Sequence, residues 1–306
     1  MNNNEIYNKL RNVLSEKEIL RDEPMKVHTS FKIGGPADFF VVPTCVESLV
    51  STIKLCSKEK IPYYIIGNGS NLLVSDKGFR GVIVQIYKNF NEVRIVGDRV
   101  SAQAGVLLSK LSKQIYEASL EGFEFASGIP GTLGGAVFMN AGAYGGEMKH
   151  ILEDVTVITH QGDLINLPKE ALALDYRSSI LQQEDYVAIS ATLKLKKGDQ
   201  AFIKSTLEQL SHKRKTRQPL EIPSAGSTFK RPEGYYAGKL IMDSGLKGYS
   251  IGGAQVSEKH CGFVVNKGNA TAKDVILLME HIRLIVKEKF GVELEPEVKL
   301  LGQADE

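Results

Sequence analysis

The sequence predicts an α+β protein with more than one domain, and three observations carry that expectation. Strand-like runs follow one another too closely for a regular strand–helix–strand alternation. Hairpin patterns recur around Gly97-Asp98 and Gly162-Asp163, and capped amphipathic helices lie between and beyond them. The 306 residues allow roughly two cores. Lys196-Lys197-Gly198-Asp199 looks like the boundary, so 1–198 and 199–306 form the two regions, the first with lobes at about 1–85 and 86–198.

In chain order, Ile6, Leu10, Val13 and Leu14 give residues 6–21 a helical apolar stripe. Ile33-Gly34-Gly35-Pro36 is a turn, and Ala37 to Val42 a strand. Thr44 and Glu47 form a capping-box pair for a helix burying Val46, Leu49, Val50, Ile53 and Cys56. The apolar strand Ile61 to Ile66 runs straight into Gly67-Asn68-Gly69-Ser70-Asn71, the kind of junction where α/β proteins hold phosphate. A strand over Val82 to Ile86, the first hairpin, a helix from Leu107 to Leu120 stopped by Gly122, the second hairpin and a strand over Tyr186 to Leu195 complete the first region. Beyond it the pattern gives a helix at about 200–215, a proline-rich crossing from Gln218 to Pro223 and a short helix, Ala237 to Ser244. A strand over Cys261 to Val265, a final helix capped by Thr271 and Asp274, and a closing strand over Val298 to Leu301 follow.

Composition narrows the function classes. A net charge of +2 lacks the basic bias of a dedicated nucleic-acid binder. Cys45, Cys56 and Cys261 are odd in number and without C-x-x-C spacing, which supports neither a disulfide framework nor a zinc site and suits a reducing compartment. The polar N-terminus has no hydrophobic signal core, so cytoplasm is the default.

The segment Phe125 to Gly146 carries no charge and seven glycines. Its glycines, Pro130, Ser127, Thr132 and Asn140 make a poor lipid-facing helix, and no Lys or Arg cluster flanks it. Gly131, Gly134 and Gly135 have no Cβ, so their N–H groups can approach phosphate or ring oxygens closely. Glycine spacing by itself equally fits tight turns around a buried strand, Ala136 to Met139.

Standard signatures are missing. GNGSNL fails the dinucleotide fingerprint at its third glycine, and Gly238-Lys239 is followed by Leu240 where a Walker loop needs Ser or Thr. No H-E-x-x-H or paired Cys/His cluster exists, so no catalytic metal is expected. The six histidines are scattered and read as surface or packing residues. Ser227-Thr228-Phe229-Lys230 matches the S-x-x-K of serine acyl enzymes, but Ser75-Asp76-Lys77 and Lys215-Thr216-Arg217 fail its companion motifs.

His28 to Ala37 (HTSFKIGGPA), GNGSNLLVSDKGFRG (67–81), GIPGTLGGAVFMNAGAYGG (128–146), DYRSS (175–179), PSAGSTFKRP (223–232) and LEPEV (294–298) occur in this order. Over about residues 27–302 the chain resembles the UDP-N-acetylenolpyruvoylglucosamine reductase family. The resemblance implies a vanillyl-alcohol-oxidase type of FAD-binding region in two lobes, with a C-terminal α+β substrate domain. It also implies bound FAD, NADPH as co-substrate, and reduction of an enolpyruvyl ether for bacterial peptidoglycan. Leu195 leads almost directly into the next helix, so the chain looks like the shorter, second type, and no substrate-capping tyrosine is carried over.

The resemblance implies a role for each matched residue. Arg177 would bind the enolate carboxylate with its planar fork. Ser227 would protonate carbon, and Glu297 would polarise or share a proton; Glu295 beside it is the alternative that the residues alone do not rank. Main-chain donors of Gly67, Asn68, Gly69, Ser70, Asn71 and Leu72, and of Gly128, Gly131, Thr132, Gly134 and Gly135, would hold the FAD pyrophosphate. Asn140, Ala141 and Gly142 would lie along the flavin. In the basic run His212 to Arg217, Arg217 lies past the expected helix end and is the candidate for the UDP diphosphate, with Lys230 as a second substrate contact. No metal, nucleic-acid, membrane or obligate protein partner is expected. Two other readings stay open: a serine acyl-transfer enzyme, and a nucleotide-binding module without catalysis.

Overall fold

The computed structural model describes residues 1–302. They divide into two compact units, neither of which is a continuous stretch. The first holds Met1–Arg21, Asp38–Asn68 and Gly81–Lys213; the second holds Asp22–Ala37, Gly69–Arg80 and the chain from Arg214 onward. Lys196–Lys197 pairs antiparallel with Leu120–Glu121, and the chain leaves the first unit inside the helix Gln200–Arg217.

The first unit is built on two sheets. One has the strand order Ile19–Pro24, Pro36–Val41, Phe79–Gln85, Tyr63–Ile66. Its last two strands are parallel, Tyr63 opposite Val82 and Ile66 opposite Gln85. The other is antiparallel, in the order Leu164–Pro168, Leu152–Ile158, Val187–Lys194, Arg99–Gln103, Val93–Val96. Both expected hairpins are in it. Val100 and Ala102, alternating with exposed neighbours, point into a core with Val155, Val157 and Leu193. The helix Leu108–Glu117 adds Leu111 and Ile115 to that core.

Three expectations here are corrected. The first helix is Asn3–Leu10, well short of residue 21. It gives way to a turn because the Glu18 carboxylate accepts the N–H and hydroxyl of Ser15, at 2.8 and 2.6 Å. The same carboxylate takes the N–H and hydroxyl of Thr44, both at 2.9 Å. Thr44 is therefore engaged by Glu18, and the helix Val46–Glu59 is capped instead by Cys45 and Ser48. Third, the glycine-rich stretch forms a short helix, Leu133–Phe138, where a strand was the alternative. Thr132 Oγ1 caps it by accepting the Gly135 N–H at 3.4 Å.

The second unit has a three-stranded antiparallel sheet, Ser250–Ile251, Ala254–Val256 and Val264–Asn266. The helix Ala272–Phe290 covers it with Val275, Leu278, Met279, Ile282 and Val286, spaced i, i+3, i+4, i+7 and i+11. Thr271 and Asp274 form the expected capping box, and Gly291 ends the helix at φ 68°. A second anchor was not foreseen: the Asp76 carboxylate accepts the N–H groups of Ala272 and Lys273, at 2.9 and 3.1 Å. Two carboxylates thus meet the positive end of one helix. Leu72–Val74 runs parallel to Lys299–Leu301, which ties residues 69–80 to the end of the described chain. Among the described residues no helix is long and apolar enough to cross a membrane, and no cluster of His, Cys, Asp and Glu suits a metal ion.

Candidate active site

In the first unit the two glycine loops meet. A Cβ on Gly67 would lie 2.3 Å from Thr132 Oγ1, a contact no side chain survives, so only glycine allows the strand end at Ile66 to reach the start of the helix Leu133–Phe138. The carbonyl of Gly67 accepts from Gln85 Nε2 at 3.3 Å. Among the described residues, none accepts from the N–H groups of Gly67, Asn68, Gly128, Gly131 or Thr132. Backbone donors left unpaired beside a helix N-terminus form an anion-binding nest. The expected donor set is narrower than the motif implied. Leu133 and Gly134 give their N–H groups to the carbonyls of Val106 and Ala104, at 2.9 and 2.7 Å, and Gly135 gives its own to Thr132.

The expected flavin-side residues are fixed by a tight turn. Asn140 is fully buried at φ 40°. Its Nδ2 donates to Glu147 Oε2 at 3.0 Å and to the Asp175 carbonyl at 2.9 Å, while its Oδ1 accepts the Lys149 N–H at 2.9 Å. Asn140 therefore braces the loop. Ala141 gives its N–H to the Ala136 carbonyl and accepts from Met148. Gly142 pairs with Glu147 in a two-stranded ladder.

That brace carries Arg177. Asp175 and Ser178 exchange both backbone hydrogen bonds, at 3.2 and 3.1 Å, closing a turn with Tyr176 and Arg177 at its corner. Arg177 is held at φ 55°, a left-handed conformation that costs a non-glycine residue about 1 kcal/mol or more. Its guanidinium donates to the Gly142 carbonyl at 3.4 Å and lies 4.9 Å from the Tyr176 ring centre.

In the second unit, Gly69 sits at φ 61° with the His28 carbonyl where a Cβ would be. Its own carbonyl accepts the Ser30 N–H at 3.2 Å, and the Ser30 hydroxyl donates to the carbonyls of Ser70 and Ser224. The loop is thereby fastened to the segment that leads to Ser227. Leu72 is buried at the start of its strand. Asn71 uses its side chain, and not only its backbone: Nδ2 donates to the Glu297 carbonyl at 3.1 Å, and the Asn71 carbonyl accepts the Lys299 N–H at 3.0 Å.

Ser227 is exposed, and Thr228 after it is 1% exposed. Thr228 gives its N–H to Gly262 and accepts the Val264 N–H on Oγ1, both at 2.8 Å. Its carbonyl accepts the Glu297 N–H at 2.9 Å, and Lys230 gives its N–H to the Glu295 carbonyl at 2.8 Å. The segments of Ser227 and Glu297 therefore run antiparallel, with Phe229 opposite Pro296. Lys230, expected at the substrate, forms an ion pair with Glu295. That engagement distinguishes the two glutamates of LEPEV: Glu295 pairs with Lys230, and Glu297 pairs through its backbone with Thr228.

The basic run is corrected as well. The helix continues through Arg217, which is exposed on its last turn and not beyond its end. Arg214 is the buried member, 6% exposed. Its spacing from Ile203, Leu207 and Leu210 places Arg214 on the apolar stripe of the helix, the one signal in the sequence that marks it.

The family model described as FAD binding domain matches residues 37–168, and the one described as UDP-N-acetylenolpyruvoylglucosamine reductase, C-terminal domain, matches residues 218–301. A chain combining these is an FAD-dependent oxidoreductase. The UDP-N-acetylenolpyruvoylglucosamine reductases of Alkaliphilus metalliredigens and Clostridioides difficile are each 54% identical to it over 303 residues, covering 99% of this chain and 100% of theirs. The crystal structure of the Thermus caldophilus enzyme of that name superposes with a TM-score of 0.80 at 36% identity, over 93% of this chain and 98% of the other. The chain belongs to the UDP-N-acetylenolpyruvoylglucosamine reductase family. Its residues fit the cofactor: the N–H groups of Gly67, Asn68, Gly128, Gly131 and Thr132, left without an acceptor among the described residues, are the kind of donor set that suits a pyrophosphate.

Proposed function

We propose that the protein reduces UDP-N-acetylglucosamine enolpyruvate to UDP-N-acetylmuramate with NADPH, in the cytoplasmic synthesis of peptidoglycan precursors and without an obligate protein partner. FAD, held by the main-chain N–H groups of Gly67, Asn68, Gly128, Gly131 and Thr132, would supply the hydride chemistry that links NADPH to the terminal vinyl carbon of the enolpyruvyl group. The chain must then stabilise the enolate of the substrate and deliver a proton to its carbon. Arg177 binds the carboxylate of that enolate, its backbone strain accepted for the direction it gives the guanidinium. The Ser227 hydroxyl donates the proton to carbon. Glu297 hydrogen-bonds at the same centre and stabilises the charge shift as the proton moves. Gly67, Asn68, Gly128, Gly131 and Thr132 hold the cofactor's pyrophosphate. Arg217, exposed on its helix end, is the candidate contact for the UDP diphosphate.

The observation that carries this reading is the backbone pairing between Thr228 and Glu297, which registers a hydroxyl and a carboxylate from distant parts of the sequence on neighbouring strands. Rapid mixing of the Ser227→Ala variant tests it. Flavin bleaching by NADPH creates no carbanion and stays near the wild-type rate. Reoxidation by the enolpyruvyl substrate falls by about 10²–10⁴-fold, the usual loss of a general acid. Reoxidation at the wild-type rate would remove Ser227 from the role.

A further inference from the structure

We propose that Gln85 is a positioning residue that aims the Asn68 N–H at the FAD pyrophosphate, an inference that rests on reading the glycine-loop N–H groups as the cofactor's cradle. A trans peptide is planar, and its C=O and N–H point in opposite directions. Whatever donates to the carbonyl of one residue therefore also fixes where the N–H of the next residue points. Three cradle donors follow this rule. The Ile66 carbonyl accepts the Ile86 N–H at 2.8 Å, which sets the Gly67 N–H. The Gly131 carbonyl accepts the Leu108 N–H at 3.1 Å, which sets the Thr132 N–H. The Gly67 carbonyl accepts Gln85 Nε2 at 3.3 Å, which sets the Asn68 N–H. The first two are held by main chain, through the parallel strand pairing and the bridge between Leu107 and Thr132. The third is held by a side chain, and among the described residues Gln85 is the only donor to the Gly67 carbonyl.

That peptide is also the one least restrained by its own residues. It lies just past the strand Tyr63–Ile66, and turning it over changes ψ of Gly67 and φ of Asn68. Glycine resists such a turn less than any other residue, and Asn tolerates left-handed φ better than most. A turned peptide would withdraw the Asn68 N–H and put the Gly67 carbonyl oxygen in its place, against an anion. Gln85 is placed to prevent this. It ends the strand Phe79–Gln85 opposite Ile66, and it is 9% exposed in a run otherwise apolar, Val82, Ile83, Val84 and Ile86. A buried amide is costly unless it is hydrogen-bonded, and the Gly67 carbonyl is the partner this one has among the described residues.

The experiment uses the full chain with and without FAD, as wild type and as Gln85→Met and Gln85→Asn. The first variant keeps the length of the side chain without a donor; the second keeps the amide but falls a methylene short of Gly67. Measured are the FAD dissociation constant, the thermal midpoint of the FAD-free protein, and the phosphorus NMR resonances of bound FAD. We expect both variants to bind FAD about 10- to 100-fold more weakly, the loss of one hydrogen bond to a charged group. The midpoint without FAD falls by only about 2–4 °C, as the loss of a single neutral hydrogen bond would give. At saturating FAD the pyrophosphate resonances move from their wild-type positions toward those of free FAD, while the visible flavin band keeps its maximum. If one variant does not fold, the other carries the test. Wild-type affinity in either folded variant, weaker binding with unchanged phosphorus resonances, or failure of both variants to fold would each overturn the proposal. Wild-type bound FAD whose phosphorus resonances coincide with those of free FAD would instead remove the cradle on which it rests.

Discussion

Arg177, proposed to bind the enolate carboxylate, sits in a strained backbone conformation. Its φ of 55° is costly for a side chain with a Cβ, and the Asp175–Ser178 turn together with the buried Asn140 holds it there. An Arg177→Gly variant separates the two consequences. Relief of the left-handed strain and the added freedom of glycine in the unfolded chain are both about 1 kcal/mol and oppose each other. Thermal stability is therefore expected to stay within about 1 kcal/mol of wild type, while turnover of the enolpyruvyl substrate collapses. A large loss of stability would mean that Arg177 is a structural residue. Ser227, Glu297 and Arg177 stood out in the sequence because each lies in a motif of the resembled family. The side-chain bond of Asn71 did not, since its partner is 226 residues away and no local pattern encodes it. Arg217 was placed beyond a helix that in fact includes it, because Gln218-Pro219 stops the helix later than the run of cations suggested.

At the scale of elements, the sequence was most informative where a helix is fixed by its own residues. Thr271, Asp274 and Gly291 bound the final helix as their types require. It was least informative where a distant group competes for a local cap, as Glu18 does for Thr44. That carboxylate also makes stability depend on pH. Burial opposes its ionisation, but the hydroxyls and N–H groups of Ser15 and Thr44 outweigh burial and hold its pKa below the ordinary 4.5. A carboxylate with a depressed folded pKa contributes stability above its unfolded pKa and loses it as pH falls through the folded value. Glu18→Gln is expected to destabilise the protein by roughly 1–3 kcal/mol at neutral pH, and the gap from wild type should close as pH drops below the ordinary value. Thermal unfolding of both proteins across that range measures it. A gap that is unchanged at low pH would show that the bonds do not depend on the charge.

At the scale of the molecule, composition displays one polar break, whereas the described chain forms the second unit from three separate stretches. The return of residues 69–80 to that unit is set by pairing such as Leu72 with Lys299, which only the folded chain reveals. The cofactor class was readable despite the failed dinucleotide fingerprint, because two glycine loops in register carry more information than either alone, and Gly67 against Thr132 is the contact that joins them. The protein is a flavin reductase of an enolpyruvyl ether. The most direct test is an anaerobic cycle on the purified protein. The purified protein should be yellow and release all its flavin on acid precipitation. NADPH should bleach it, and UDP-N-acetylglucosamine enolpyruvate should restore the colour without oxygen, forming one lactyl ether per flavin. Recovery of the colour only on admission of air, or a protein without flavin, would contradict it.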